Sequence, residues 1–432
     1  MTKVLVLSRG KIGAGMASPG IRSYHMARVL AEQLPEASVT LAAPNEPDIS
    51  SPHPRLRFVR YGSQWAALRL ALRHDTIISR NFPPHFLPLL FGKRLALDSF
   101  TTLFIEWMEL SKRRPDLRSR KRWMTANQHY LNLQLTLADY IVCSNERQRD
   151  LWIGALGALG LITAETYRRD STLRNLIDVL PYGVQPGSPR HAKQVLKGVV
   201  PGIRESDTVL IWNGLLVEWF DAPTVIRAMA EVSRSRDDVK LFFLGTQHPE
   251  WITGTEAPPV RDAIALSKQL GLYETSVFFN FGWVPYQEIG DYLSEADIGV
   301  CASFDNLESR YSFRTRFVDL IWADLPIVCT KGDVLAERIE REPLGIAVTP
   351  GDSSAIAAAI LRLVQDRDFY DRCRAGMANV KEEMRWERTL APLVDFCRGG
   401  HGTAASKAQR LFPLLQHSAL YLLSKALTPM TR

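Results

Sequence analysis

Ser312, Thr315 and Asp319, spaced three and four apart, are the side chains of this sequence best arranged to do chemistry. With a helix over Phe313–Asp324, they share one face, and Phe313, Phe317, Leu320 and Ile321 share another that reads as core. Two hydroxyls then stand at the helix N-terminus and a carboxylate about one turn further on. Helix N-termini bind phosphate through free backbone N–H groups and the dipole. Arg314 and Arg316 add guanidinium forks of the kind that grip a diphosphate. A carboxylate beside a bound nucleotide commonly takes ribose hydroxyls. The spacing fits a nucleoside diphosphate, with ribose on Asp319 and phosphates on Ser312–Thr315. It fits equally an N-capped helix with surface arginines.

The elements around this helix argue for the first reading. A buried run, DIGVCAS, leads into it, and parallel α/β sheets hold ligands beyond the carboxyl ends of their strands. The whole stretch Ala296–Asp352 reads as strand, loop, helix, short strand, loop, helix, strand. Upstream, Thr208–Trp212, Lys240–Leu244 and Val277–Phe279 read as strands, with helices at Ala222–Arg234 and Tyr286–Glu295. Downstream come helices at Ser353–Gln365 and Asp368–Glu383. The first half alternates likewise: strands at Lys3–Ser8, Ser38–Ala43, Arg57–Tyr61, Thr76–Ser79, Leu95–Asp98 and Ala138–Ser144, with helices between. Such alternation predicts βαβ units and mostly parallel sheets.

At 432 residues the chain exceeds the roughly 250–300 at which single cores divide, so two domains are expected. The expected boundaries are 1–185, a polar Pro- and Gly-bearing linker 186–204, a second domain 205–390, and a tail 391–432. In that tail Phe412–Thr428 is mostly apolar. It reads as a helix packing back on the protein or as one lying on a membrane surface. Net charge is +7, and seven bases with one acid crowd between Lys112 and Arg122. Lys112, Arg113, Arg114, Arg120, Lys121 and Arg122 suggest an anionic partner, a membrane surface among them; a solvated helix face is the plain alternative. Five scattered cysteines without a CxxC pair point to a reducing, cytoplasmic setting rather than a disulfide framework or zinc site. No histidine set has metal-ligand spacing; His25, His85, His129 and His248 read as packing or surface residues. The opening apolar run is short for a signal peptide.

Beyond spacing, the chain resembles the family 4 glycosyltransferases. Asp319 precedes Pro326 in VDLIWADLPIVCT, similar to a Glu-Ala-x-x-x-Gly-x-Pro-Val-Val run, with Asp324 where that run has glycine. Gly332, Glu337, Gly345, Val348, Pro350 and Asp352 follow in the family's order. ERQRDLW (Glu146–Trp152) and FRTRFVD (Phe313–Asp319) resemble a bacterial subgroup. The resemblance spans about Lys3–Leu390. It implies an α/β chain of the GT-B fold, two doubly wound Rossmann-like domains facing a cleft. It implies a retaining, metal-independent hexosyl transfer from a nucleotide-diphosphate-sugar, which is substrate rather than cofactor. The acceptor, a polysaccharide, lipid-linked or small molecule, would belong to the N-terminal domain and the donor to the C-terminal one.

Carried over by position, Asp319 matches the second acid of the family's paired-acid motif, which holds the ribose. The first acid's position is Tyr311; Glu308, three residues upstream, is the nearest carboxylate and is expected to take that acid's role, contacting donor-sugar hydroxyls near the reacting carbon. The family's Arg/Lys diphosphate clamp is missing from the loop Asn213–Asp221, where Asn213 and Gly214 follow the first strand. Either Arg314 or Arg316 replaces it or catalysis is impaired. Trp283, Val284 and Tyr286 match the segment that borders the base; Trp283 also fits a core anchor. The loop with Gly13, Gly15 and Met16 matches one that closes over donor and acceptor. Arg22 follows it and reads as facing the cleft or as a surface helix residue. Asp98, ending a strand, is the N-domain acid best placed near an acceptor, or a plain strand-end cap.

Two other classes remain. The missing clamp and displaced acid fit a nucleotide-sugar-binding protein that has lost turnover, or a partner subunit. A nucleic-acid-binding protein rests on the basic cluster alone, with no stacking platform or reader motif.

Overall fold

The computed structural model describes residues 2–83, 86, 92–247, 257–400, 402 and 407–426. His85, His248 and Thr428 lie outside the described residues. The chain divides into two compact units: Met1–Tyr182 with Trp386–Arg432, and Gly183–Arg385.

In the first unit the strands are β1 (Thr2–Leu7), β2 (Ala37–Ala43), β3 (Leu56–Arg60), β4 (Thr76–Ser79), β5 (Arg94–Asp98), β6 (Tyr140–Cys143) and β7 (Ile177–Val179). They form a parallel sheet of order β3-β2-β1-β4-β5-β6-β7. Its helices are α1 (Ser18–Gln33), α2 (Gln64–Leu72), α3 (Leu103–Ser111), α4 (Leu117–Leu137), α5 (Glu146–Ala158) and α6 (Ala164–Arg169). Strands covered on both faces must be apolar throughout, and Leu5, Leu7, Ile77, Leu95, Leu97 and Ile141 meet Trp152 and Leu156 of α5 in one core. The ERQRDLW segment is α5's first half and works structurally. Asn145 caps it by accepting from the Gln148 N–H at 2.9 Å. Gln148 accepts from the Ser144 N–H, and Arg149 donates to the Ile177 carbonyl.

In the second unit β8 (Thr208–Leu215), β9 (Val239–Gly245), β10 (Val277–Phe279), β11 (Ile298–Cys301), β12 (Ile327–Thr330) and β13 (Gly345–Val348) build a parallel sheet of order β10-β9-β8-β11-β12-β13. Its helices are α7 (Ala222–Val232), α8 (Pro258–Gln269), α9 (Ile289–Glu295), α10 (Leu307–Tyr311), α11 (Thr315–Trp322), α12 (Val334–Arg341), α13 (Ser353–Gln365) and α14 (Arg367–Glu383). Residues 186–204 are fastened to this unit. Glu295 accepts from the N–H groups of Val195, Leu196 and Lys197, Asp291 from that of Ala192, and Trp322 donates to the Gly187 carbonyl.

After Trp386 the chain rejoins the first unit as α15 (Trp386–Thr389), α16 (Ala391–Arg398) and α17 (Lys407–Ala426). The Trp386 ring stacks on His25 of α1. Helix α17 lies along α4, and its Arg410 is buried against Asp139, with the Ala138 carbonyl at 2.9 Å.

Two helices differ from the sequence expectation. The expected Tyr286–Glu295 helix opens as a single 3₁₀ turn over Tyr286–Glu288, and α9 begins at Ile289. The expected Phe313–Asp324 helix is shorter, Thr315–Trp322, and a separate short helix precedes it. Helix α10 ends at Tyr311, Ser312 is extended, and α11 starts only at Thr315. The break lets Arg314 turn back toward Glu308 on α10. Asp324, where a glycine was expected, does a glycine's work: its φ of 56° is the left-handed conformation that ends α11. Lys381 holds its carboxylate at 2.7 Å.

Candidate functional site

Doubly wound sheets bind ligands where the strand order reverses. In the second unit that point lies between β8 and β11. Asn213 and Gly214, expected just after the first strand, lie in the irregular last residues of β8; beyond the strand ends run the segments 216–221 and 302–314, the second containing α10. The two segments are tied together: Asp221 N–H donates to the Ala302 carbonyl at 2.9 Å, and Phe220 bridges to Ser303. Gly214 has a φ of 97°, and a Cβ there would stand 3.5 Å from Arg316.

Glu308 and Arg314 are both buried and form a bidentate pair at 2.9 and 2.7 Å. Arg314 also meets the Ser309 hydroxyl at 3.1 Å. Neither arginine is on the surface, which corrects the surface reading. Arg316 lies flat on the Phe220 ring, 3.7 Å from its centroid, beside Trp212. One of its nitrogens donates to the Leu215 carbonyl at 2.9 Å. The Cys301 thiol is a weak neighbour, and Nη1 makes no hydrogen bond. The two guanidiniums therefore differ. Arg314 is held by a carboxylate, which raises it above the ordinary arginine range against the opposing effect of burial, whereas Arg316 is held by a carbonyl and a ring and lies below that range chiefly through burial; each keeps one buried nitrogen without a hydrogen bond, Nε of Arg314 and Nη1 of Arg316. Ser312 is not at a helix N-terminus; its hydroxyl donates to the Ser309 carbonyl at 2.9 Å. Thr315 is the first residue of α11, a helix without a side-chain cap.

Asp319 sits one turn along α11 and accepts from Asn213 Nδ2 at 3.0 Å, with Gln185 as a further hydrogen-bonding partner. It keeps part of its surface open. Crowding by protein still pushes its carboxyl up to about 6, against the opposing pull of Asn213, Gln185 and Arg316. Asp333, which caps α12 through the N–H groups of Leu335 and Ala336, is likewise raised to about 6 by burial. Sequence reasoning missed Phe220, Gln185 and Asp333. Phe220 was legible only as an aromatic in a loop without bases, and Gln185 fell at an expected domain edge. Past β10, the edge strand of the sheet, Val284 is buried and Trp283 and Tyr286 are half-buried.

In the first unit the order reverses between β1 and β4. The loop after β1 is pinned. Asp48 accepts from the Ala14 N–H at 2.9 Å, and a Cβ on Gly13 would collide with that carboxylate. Met16 is buried and Gly15 partly so. Arg22 is buried, not a surface helix residue. It clasps both oxygens of Asp98 at 2.9–3.0 Å and donates to the Leu180 carbonyl at 3.0 Å. Both oxygens of Asp98 are thus occupied. In the basic cluster Lys112, Arg113 and Lys121 are exposed, Arg120 donates to backbone carbonyls, and Arg114 lies over Trp123. All five cysteines are free and buried. Among the described residues no group of three His, Cys, Asp or Glu side chains is gathered to hold a metal ion.

Residues 207–366 match the family model described as "Glycosyl transferases group 1". No curated protein matches the chain. Among solved structures it is similar to sucrose-phosphate synthase from Thermosynechococcus elongatus, at 14% identity and a TM-score of 0.63, over 92% of this chain and 99% of that one. Anabaena Alr3699/HepE in complex with UDP-glucose aligns at 15% identity and 0.61, over 92% and 100%. WaaG, a glycosyltransferase involved in lipopolysaccharide biosynthesis, aligns at 15% and 0.58, over 93% and 100%. At such identities the similarity establishes the fold: two Rossmann-like units of the GT-B class.

Proposed function

We propose that this protein is a glycosyltransferase that moves a sugar from a nucleotide-diphosphate-sugar to a polysaccharide, lipid-linked or small-molecule acceptor. The observation that carries the reading is Asp319, partly open, oriented by Asn213 and placed at the switch point of the second unit's sheet. The family match over residues 207–366 and the neighbour holding UDP-glucose support it. The ribose hydroxyls of the donor bind Asp319. The diphosphate meets the start of α11 near Thr315, a helix without a side-chain cap, with the buried Arg316 guanidinium behind it. Trp283, Val284 and Tyr286 border the base, and Asn213 and Gly214, at the end of β8, face the donor.

The reaction is transfer with retention and without a metal. The bond from the anomeric carbon to the diphosphate breaks, the acceptor oxygen bonds to that carbon on the same face, and its proton passes to the departing diphosphate. Charge on that leaving group is what the site must stabilise, and Arg316, whose charge no carboxylate pairs, is the cation assigned to it. Glu308, shut in by Arg314, acts by positioning: it fixes Arg314 beside Phe220, on which Arg316 lies. The acceptor belongs to the first unit, past the loop Gly13–Met16.

The Glu308–Arg314 closure also favours a second reading, a nucleotide-sugar-binding protein or partner subunit without turnover. A panel of nucleotide sugars with and without acceptors separates the two. Donor hydrolysis or transfer supports the enzyme; binding with no turnover under every pairing supports the second reading.

A further inference from the structure

Helix α17 turns an apolar face to solvent. From Leu411 to Ser424 it carries no charged residue. Its inner side is committed: Leu414 is in the core, and His417 and Tyr421 face His129 and Tyr130 of α4. At about 100° per residue, Leu411, Leu422, Leu415, Phe412 and Leu423 follow one another round the helix from the flank of Leu414 to the side opposite it. Phe412, Leu415, Leu422 and Leu423 are 75, 57, 62 and 61% exposed. A contiguous apolar stripe of this kind marks an interaction surface.

The neighbouring helix indicates the occupant. As α17 proceeds from Arg410 to Tyr421, its partners on α4 fall from Ala138 to Tyr130, so α17 runs toward the basic end of α4. There seven bases and one acid lie between Lys112 and Arg122, with Leu117 79% exposed among them and Trp107 against Trp123. Apolar and aromatic side chains beside clustered bases suit a bilayer interface, where bases meet headgroup phosphates and apolar groups enter the boundary layer. A second copy of the chain would bring like charges together. No helix among the described residues is long and apolar enough to cross a membrane.

We propose that α17 and the start of α4 form one surface that lies on the anionic face of a lipid bilayer. The proposal does not rest on glycosyl transfer.

The test is co-sedimentation of the full chain with vesicles of phosphatidylcholine, alone or mixed equally with phosphatidylglycerol. Binding is expected to the mixed vesicles, to weaken with salt, and to fall about tenfold or more in Phe412→Ser/Leu415→Ser. Arg113→Glu/Lys121→Glu is expected to lower binding by a similar factor or more. These positions are exposed, and an unchanged melting profile verifies the fold. No binding to either vesicle overturns the proposal, as does equal binding by wild type and the Phe412/Leu415 variant, or indifference to phosphatidylglycerol. Self-association by light scattering that the Phe412/Leu415 variant abolishes would assign the face to a second copy instead.

Discussion

The guanidinium of Arg314 spans both carboxylate oxygens of Glu308, at 2.9 and 2.7 Å, with both side chains buried. Removing one partner of such a pair strands a buried charge, at a cost of about 3–5 kcal/mol. Glu308→Ala and Arg314→Ala are each expected to destabilise the protein by that amount in urea unfolding. The double variant is expected to cost clearly less than the sum. Additive losses would mean that the two groups do not act as a pair.

Arg316 leads to a different expectation. It lies on Phe220, bonds one carbonyl and leaves Nη1 unused. Arg316→Gln is expected to weaken nucleoside diphosphate binding by roughly 10- to 100-fold, as for loss of one charge-assisted contact of about 1.5–3 kcal/mol. Binding of the nucleoside alone should change little, which isothermal titration of both ligands would show.

The carboxyl of Asp319 is raised to about 6, so in the folded state it holds its proton more tightly than in the unfolded chain. Its contribution to stability is full below about pH 4 and is lost as pH rises through about 6. Asp319→Asn keeps an acceptor for Asn213 and removes that loss. The variant is expected to be more stable than wild type at pH 7.5, by on the order of 2 kcal/mol after allowing for partial exposure, with the gain shrinking toward pH 4. Melting curves across this range provide the check, and a gain independent of pH would contradict the account.

Arg22 and Asp98 bear on the acceptor side. With both oxygens of Asp98 held by Arg22, Asp98→Ala is expected to cost about 3–5 kcal/mol of stability. A variant that keeps full stability but loses transfer would instead make Asp98 a group that acts on the acceptor.

Much of the architecture was legible because parallel strands covered on both faces must be apolar throughout, and the runs around Val4–Leu7, Ile77–Ile78 and Val209–Trp212 are. Asp319 was legible from helical spacing, because α11 does carry it one turn along. The break between α10 and α11 was not legible. Glu308 and Arg314 are six residues apart, and their ion pair spans the non-helical residues Ser312–Arg314. Nor does spacing tell an arginine paired with a carboxylate from one held by a carbonyl and a ring. That distinction depends on Phe220 and the Leu215 carbonyl, about a hundred positions away in sequence. Arg22 misled for a similar reason: its partner Asp98 is 76 residues distant.

Asp319 is the group proposed to hold the donor's ribose. The direct test is calorimetric titration of wild type and Asp319→Ala with the nucleotide-diphosphate-sugar that wild type binds best. Loss of measurable binding by a variant whose melting profile stays cooperative is the result predicted. Unchanged donor affinity in that variant would contradict the site assignment and, with it, the proposed binding of the donor at the second unit's switch point.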